Sequence, residues 1–265
     1  TPKLVVVDCR FSLADTQAGR TAHAAAHIPG AVYAHLDEDL SAPKRADRAG
    51  GRHPLPTAER FAETLSRWGI DNETQIVAYD DGPGAMAARF WWMVRWLGHD
   101  AVAVLDGGWA AWQVENRPVE SGQPQPQPAR FVPHVRPEMV VDVDKVFQYV
   151  ASGGALLVDA RAADRFRGEN ETLDPVGGHI PGATNYFYGQ NLSAGRFLPA
   201  AELAQNYRAL IGQRPPSEVV LYCGSAVTAC HNALAMLHAG IGSARLYPGS
   251  WSDWSSDPSR PQARG

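Results

Sequence analysis

Four segments recur in the same order along this chain, and such a recurrence limits the fold more than any single motif does. Val5-Val6-Val7-Asp8-Cys9-Arg10 returns as Leu156-Leu157-Val158-Asp159-Ala160-Arg161. His27-Ile28-Pro29-Gly30-Ala31 returns unchanged at residues 179–183. Ile76-Val77-Ala78-Tyr79-Asp80 matches Val219-Val220-Leu221-Tyr222-Cys223, and Gly107-Gly108-Trp109 with Trp112 matches Gly249-Ser250-Trp251 with Trp254. The chain reads as a duplication. Each copy runs strand, helix, HIPGA turn, helix, strand, loop, helix, strand and a closing aromatic helix. Strands alternating with helices predict an α/β fold, a mainly parallel sheet flanked by helices on both faces. A length of 265 residues fits two such domains.

The join shows in the composition. Residues 116–137 contain Gln123-Pro124-Gln125-Pro126-Gln127-Pro128, followed by Pro133 and Pro137. Alternating proline favours extended polyproline II, which predicts a first domain over 1–120, a semi-stiff spacer over 121–137 and a second domain over 138–265. A connector between similar halves accounts for the proline run without an SH3 or WW partner. The polar, Pro-containing tail 255–265 is expected to pack loosely or fray. Trp91, Trp92 and Trp96 stand at helical spacing and read as packing residues.

A net charge of −4 and a pI near 6.1 argue against a nucleic-acid binder, whose footprint is basic. No apolar run approaches the roughly 20 residues that span a bilayer, so no membrane partner is expected. The N-terminus passes directly into an apolar strand pattern, too short for a signal peptide; a start at Thr1 leaves a removed leader open. Three cysteines make no disulfide framework, and a reducing cytoplasm is the expected setting. No paired Cys/His spacing points to zinc.

Chemistry concentrates in Cys223-Gly224-Ser225-Ala226-Val227-Thr228-Ala229. An apolar strand precedes this stretch and a helical pattern follows it. Backbone N–H groups of a compact loop converge into an anion-binding nest, and the positive end of the next helix adds to it. Both favour the thiolate, the nucleophilic form of cysteine. In parallel sheets, sites lie beyond the carboxyl ends of the strands, where Cys223 falls. Cys9 reads as a small buried filler and Cys230 as a helix residue facing the core.

The CGSAVTA loop resembles the active-site loop of the rhodanese-type sulfurtransferases, closest to the form found in the 3-mercaptopyruvate branch. With the HIPGA repeat, the resemblance covers nearly the whole chain and implies two tandem rhodanese-like domains. It implies that Cys223 takes a sulfane sulfur from thiosulfate or 3-mercaptopyruvate as a persulfide. A thiophilic acceptor such as cyanide or a thiol then removes that sulfur, with ping-pong kinetics. The loop amides of Gly224, Ser225, Ala226, Val227, Thr228 and Ala229 would stabilise the persulfide. Arg165 matches the arginine that holds the donor's anionic end, a task suited to a planar fork. Arg161 has a twin in Arg10 and is expected to be structural, as are His27 and His179 of the two HIPGA turns. Ser225, His53 and Asp37 match a Ser-His-Asp relay for the donor's protons. With the serine from the second half and the other two from the first, the relay is expected to assemble between the halves.

The first half has Asp80 where the second has Cys223, and a carboxylate cannot carry a sulfane sulfur; that half is expected to be catalytically inactive. Two features depart from the mercaptopyruvate pattern. Residues 169–178, ENETLDPVGG, lack the second donor-binding arginine usual there, and Ala226 stands where glycine is usual. The basic residues typical of the thiosulfate branch just after the cysteine are missing too, so a mixed donor preference is expected. A phosphatase would need an arginine where Ala229 stands. The alternative to turnover is a persulfide carrier or docking module serving a protein partner. The reading invokes no cofactor and no metal; its partners are a small-molecule donor and a cyanide or thiol acceptor, with room for a protein acceptor.

Overall fold

The computed structural model describes residues 3–265, which fall into two compact units. The first holds the described residues up to Ala42 together with Leu55–Arg136; the second holds Pro43–Pro54 together with Pro137–Gly265.

In the first unit the order is β1 (Leu4–Asp8), α1 (Ala18–Ala25), β2 (Val32–Tyr33), α2 (Ala58–Arg67), β3 (Gln75–Tyr79), α3 (Ala85–Trp96), β4 (Val102–Val104) and α4 (Gly108–Val114). The strands form one parallel sheet in the order β2-β1-β3-β4. The Thr57 side chain caps α2 by accepting the Arg60 N–H at 3.2 Å, and Glu59 and Arg67 lie at the ends the helix dipole favours. Trp91, Trp92 and Trp96 are all buried on α3, as packing residues should be.

The second unit runs α5 (Val143–Ser152), β5 (Leu156–Asp159), α6 (Ala163–Arg167), β6 (Thr184–Asn185), β7 (Leu192–Ser193), β8 (Arg196–Phe197), α7 (Ala200–Ile211), β9 (Val219–Tyr222), α8 (Thr228–His238), β10 (Arg245–Leu246) and α9 (Ser250–Trp254). Its parallel sheet has the order β10-β9-β5-β6, the topology of the first sheet again, and β7–β8 is an added antiparallel hairpin. Every residue of β9 is buried, the pattern of a central parallel strand covered on both sides.

The duplication extends to buried polar contacts. Arg10 pairs with Asp8 at 2.6 Å and donates to the Ala26 carbonyl; Arg161 pairs with Asp159 at 2.6 Å and donates to the Gly178 carbonyl. Each guanidinium lies over a tryptophan, Trp109 or Trp251. The two HIPGA histidines each bond a backbone carbonyl through Nδ1, of His23 and of Phe166. These four residues hold the fold, as read from the sequence.

Three sequence expectations change. The tail does not fray: Ala263 and His179 exchange both backbone hydrogen bonds, and Trp254 Nε1 donates to the Pro261 carbonyl. Glu120 and His27 exchange the same bonds in the first unit, where Trp112 Nε1 donates to Pro118. The repeat thus reaches past its closing helix. The semi-stiff spacer read at 121–137 does not stand away from the domains. Its backbone bonds to Ala24, Ser66, Leu97 and Trp96, and Phe131 is buried, so it runs along the first unit. Finally, Pro43–Pro54 leaves its sequence neighbours and packs in the second unit. The Arg52 N–H donates to Ser252 Oγ at 2.9 Å, and Gly51, at φ 80°, lies so close to the Gly249 carbonyl that a side chain would collide with it.

Candidate active site

Strand β9 delivers Cys223 to its carboxyl end, and α8 begins five residues later. Between them the loop is held from α9. Ser250 Oγ accepts the N–H groups of Cys223 at 3.2 Å and Ala226 at 3.0 Å, and donates to the Tyr247 carbonyl. The carbonyls of Cys223 and Gly224 accept from Trp251 and Ser252, each at 3.0 Å, and the Ala226 carbonyl accepts from Cys230 Sγ at 3.0 Å. Three loop carbonyls are therefore committed elsewhere. Ala226, at φ 57°, and Ser250, at φ 55°, both adopt the left-handed conformation at a cost of about 1–2 kcal/mol each. Alanine in place of the usual glycine at 226 does not bar the turn; it strains it, as happens at functional loops.

Ser225 and His53 meet. His53 Nδ1 lies 2.8 Å from Ser225 Oγ, and both residues are buried. The contact lies within the second unit, because His53 arrives on Pro43–Pro54. The serine–histidine contact of the expected relay thus joins residues from both halves of the sequence inside one compact unit. Asp37 belongs to the first unit, on the turn after His35, whose Nδ1 accepts the Asp37 N–H at 3.2 Å.

Arg165 and Arg52 converge on Gly224. A Cβ built on Gly224 would lie 2.7 Å from Arg52 Nη2 and 3.6 Å from Arg165 Nη2. Each arginine is held from behind by a buried carboxylate. Glu171 accepts from Arg165 Nε at 3.2 Å and Nη2 at 2.7 Å, and also from Arg161 Nη1 at 3.2 Å. Asp174 pairs with Arg52 Nη1. Burial opposes ionisation of Glu171, but the hydrogen bonds from Arg165 and from the amides of Leu173 and Asp174 outweigh it and hold the carboxyl below its ordinary value. Residues 169–178 carry no arginine and instead supply the two acids that hold Arg52, Arg161 and Arg165.

Arg52 is the residue sequence reasoning missed. Its signal was its position beside His53 in Gly51-Arg52-His53: whatever brings the histidine to Ser225 brings its neighbour too.

A rhodanese-like domain matches residues 1–115 and again 142–257. The chain belongs to the rhodanese family. The rhodanese is 48% identical to the "Probable 3-mercaptopyruvate sulfurtransferase" of Pseudomonas aeruginosa, covering 100% of this chain and 93% of that one. It is 32% identical to the thiosulfate sulfurtransferase of Rattus norvegicus over 96% of this chain and 85% of that one. Among solved structures, the 3-mercaptopyruvate sulfurtransferase from Leishmania major superposes with a TM-score of 0.83 at 32% identity, covering 96% of this chain and 70% of that one.

The first half of this rhodanese shows what such a loop binds. Asp80, at the position of Cys223, accepts four backbone N–H groups: Gly82 and Gly84 on Oδ1, each at 3.0 Å, Met86 at 2.9 Å and Ala87 at 3.2 Å on Oδ2. Burial pushes the carboxyl up, and the amides pull it back. The first loop is an anion nest filled by its own side chain. Cys9 is inert by contrast: burial, with Asp8 beside it, pushes the thiol well up. No helix among the described residues is long and apolar enough to cross a membrane.

Proposed function

We propose that this rhodanese transfers sulfur from thiosulfate or 3-mercaptopyruvate through a Cys223 persulfide to cyanide or a thiol. The observation that carries the reading is the thiol of Cys223 at the carboxyl end of β9, on a loop where a Cβ built on the next residue would lie 3.6 Å from Arg165 Nη2. The Cys223 thiolate attacks the donor's outer sulfur. With thiosulfate the S–S bond breaks and sulfite leaves with the electron pair. With 3-mercaptopyruvate the C–S bond breaks; the pair passes to the enolate of pyruvate, and the proton from the donor's thiol ends on its carbon. The acceptor then attacks the outer sulfur of Cys–S–S⁻, leaving as thiocyanate or a new persulfide and restoring the thiolate.

Within this reading the amides from Gly224 to Ala229 favour the persulfide anion, apart from that of Ala226, which Ser250 occupies. The filled nest at Asp80 supports that role and accounts for a first half without sulfur chemistry. Ser225 and His53 carry the proton between donor thiol and enolate carbon; the 2.8 Å contact supports this pair. Asp37 enters by its motif alone. The reading includes a cytoplasmic setting, where reducing conditions keep the three free cysteines as thiols, and a protein thiol as one acceptor.

The test is a pair of steady-state assays on one preparation, with 3-mercaptopyruvate and with thiosulfate, cyanide as acceptor and Cys223→Ser as control. Turnover by both donors, abolished in the variant, is expected. Turnover by neither, or turnover that survives in Cys223→Ser, overturns the reading.

A further inference from the structure

Sulfur transfer has two halves, and in the second a thiol must approach a site that already holds a negative charge. The attacking thiolate and the persulfide Cys–S–S⁻ repel each other, and any carboxylate on the acceptor adds to the repulsion. A cation beside the loop, other than those that hold it, would offset this. Residues 43–54 carry Lys44, Arg45, Arg48 and Arg52 against the single acid Asp47, in a chain of net charge −4. Arg45 is met by Asp47, through Nε at 3.0 Å and Nη2 at 2.8 Å, and Arg52 by Asp174. Arg48 is exposed, and its side chain pairs with no acid among the described residues.

Arg48 holds its place at a cost. It sits in a tight turn, its N–H on the Arg45 carbonyl and its own carbonyl taking the Gly51 N–H. Its φ is 58°, a conformation glycine adopts freely and other residues only at about 1–2 kcal/mol. A cation kept on a surface turn where glycine would be easier points to a use for its charge. Arg48 lines a cavity of about 250 Å³ with Lys44, Arg45, Gly51, Leu173 and Ser252. Leu173 is exposed and gives the cavity an apolar wall. Ser252 joins it to the catalytic loop: its Oγ accepts the Arg52 N–H at 2.9 Å, and its own N–H donates to the Gly224 carbonyl at 3.0 Å. A cavity of this size, with cations and carbon in its lining, suits a small thiol bearing carboxylates.

We propose that this cavity receives the acceptor, with Arg48 taking a carboxylate of a small anionic thiol whose sulfur attacks the Cys223 persulfide. This rests on the sulfurtransferase reading and names the class of acceptor. The thiol gives its proton to solvent, and the thiolate forms a bond to the outer sulfur of Cys–S–S⁻. The S–S bond breaks, its electron pair returns to Cys223, and the acceptor leaves as its own persulfide. No oxidant or reductant is consumed. Positive charge at the cavity raises the local concentration of such a thiol and offsets its repulsion from the persulfide.

The test isolates the second half-reaction. Protein loaded with sulfur from thiosulfate and freed of donor is mixed with mercaptosuccinate, which bears two carboxylates, or with 2-mercaptoethanol, which bears none. Loss of the sulfur mass is followed in time at low salt for wild type, Arg48→Gly and Arg48→Glu. With mercaptosuccinate the rate constant should fall about fivefold in Arg48→Gly and further in Arg48→Glu, while 2-mercaptoethanol changes by less than about twofold. Added salt should slow the wild type with mercaptosuccinate only. Arg48→Gly relieves the strained turn, so it should melt no lower than wild type, and it carries the test if Arg48→Glu does not fold. Equal effects on both thiols, or none on either, overturn the proposal. So does an equal slowing of persulfide formation by thiosulfate, which would mark Arg48 as an attractor of every anion. A loaded wild type that gives its sulfur to cyanide but to neither thiol overturns it too. A wild type that never gains the sulfur defeats the sulfurtransferase reading; a loaded one with an indifferent Arg48 defeats only this assignment.

Discussion

His53 Nδ1 and Ser225 Oγ lie 2.8 Å apart although 172 residues separate them in sequence. Both are buried, so the contact is shielded from water and its geometry is fixed by the packing of Pro43–Pro54 on the second unit. Ser225→Ala and His53→Asn are each expected to lower kcat with 3-mercaptopyruvate by about 10²-fold, within the usual range of general acid–base contributions. The double variant should be little worse than the poorer single, because the two act as a unit. Thiosulfate, whose sulfite leaves without needing a proton on carbon, should be affected less. Full additivity of the two substitutions would show that they act separately.

Glu171 links the site to stability at low pH. Its carboxyl is held below the ordinary value of 4.5, so it contributes stability above that value and loses the contribution as pH falls through the lowered one. Glu171→Gln should cost roughly 2–4 kcal/mol at neutral pH, since Arg161 and Arg165 lose a buried charge partner. The cost should shrink on acidification below about pH 4.5, where the wild type gives up the same interaction. Urea titrations of both proteins between pH 3 and 7 check this; a difference that does not narrow in acid contradicts it.

Gly224 owes its identity to close approach. A Cβ there would press on Arg52 Nη2 at 2.7 Å, the tip of a side chain whose other terminal nitrogen is held by Asp174. Gly224→Ala should fold with a stability within about 1 kcal/mol of wild type, because the tip can yield. The added methyl, on the residue next to Cys223, narrows the space for the donor and should raise KM for both donors several-fold. A loss of folding instead would mean that the arginine tip is not free to move.

Asp80→Ala leaves four amides of the first loop without their acceptor, and Gly82, Gly84, Met86 and Ala87 share the loss. The expected cost is about 2–4 kcal/mol in the unfolding of the first unit, seen by calorimetry. Asp80→Asn, with one carbonyl oxygen to offer, should recover part of it.

The repeat carried most of the fold. Tyr79 and Tyr222, Ile28 and Ile180, Trp109 and Trp251 occupy matching core positions, so the same strand order arises twice. The hairpin β7–β8 escaped notice because its two-residue turn, Ala194-Gly195 with φ of 51° and 78°, has alanine where Asn or Asp normally signals such a turn. The exchange of Pro43–Pro54 was not legible either. A short polar segment between two proline positions has no periodic face of its own, and its allegiance is set by partners remote in sequence, Ser252, Asp174 and Gly249. For the same reason the motif pointed to Ser225, His53 and Arg165 but not to Arg52. A pattern of residue types names side chains; only the packed segment shows which neighbour comes with them.

The central claim is that Cys223 carries the sulfur, and intact-protein mass spectrometry addresses it directly. After incubation with thiosulfate or 3-mercaptopyruvate and no acceptor, the protein should gain the mass of one sulfur atom, mapped by peptide analysis to Cys223. Cyanide should remove it, and Cys223→Ser should never acquire it, with Cys9 and Cys230 unchanged throughout. A wild type that turns over donor without gaining that mass, or a gain that persists in Cys223→Ser, would contradict the account.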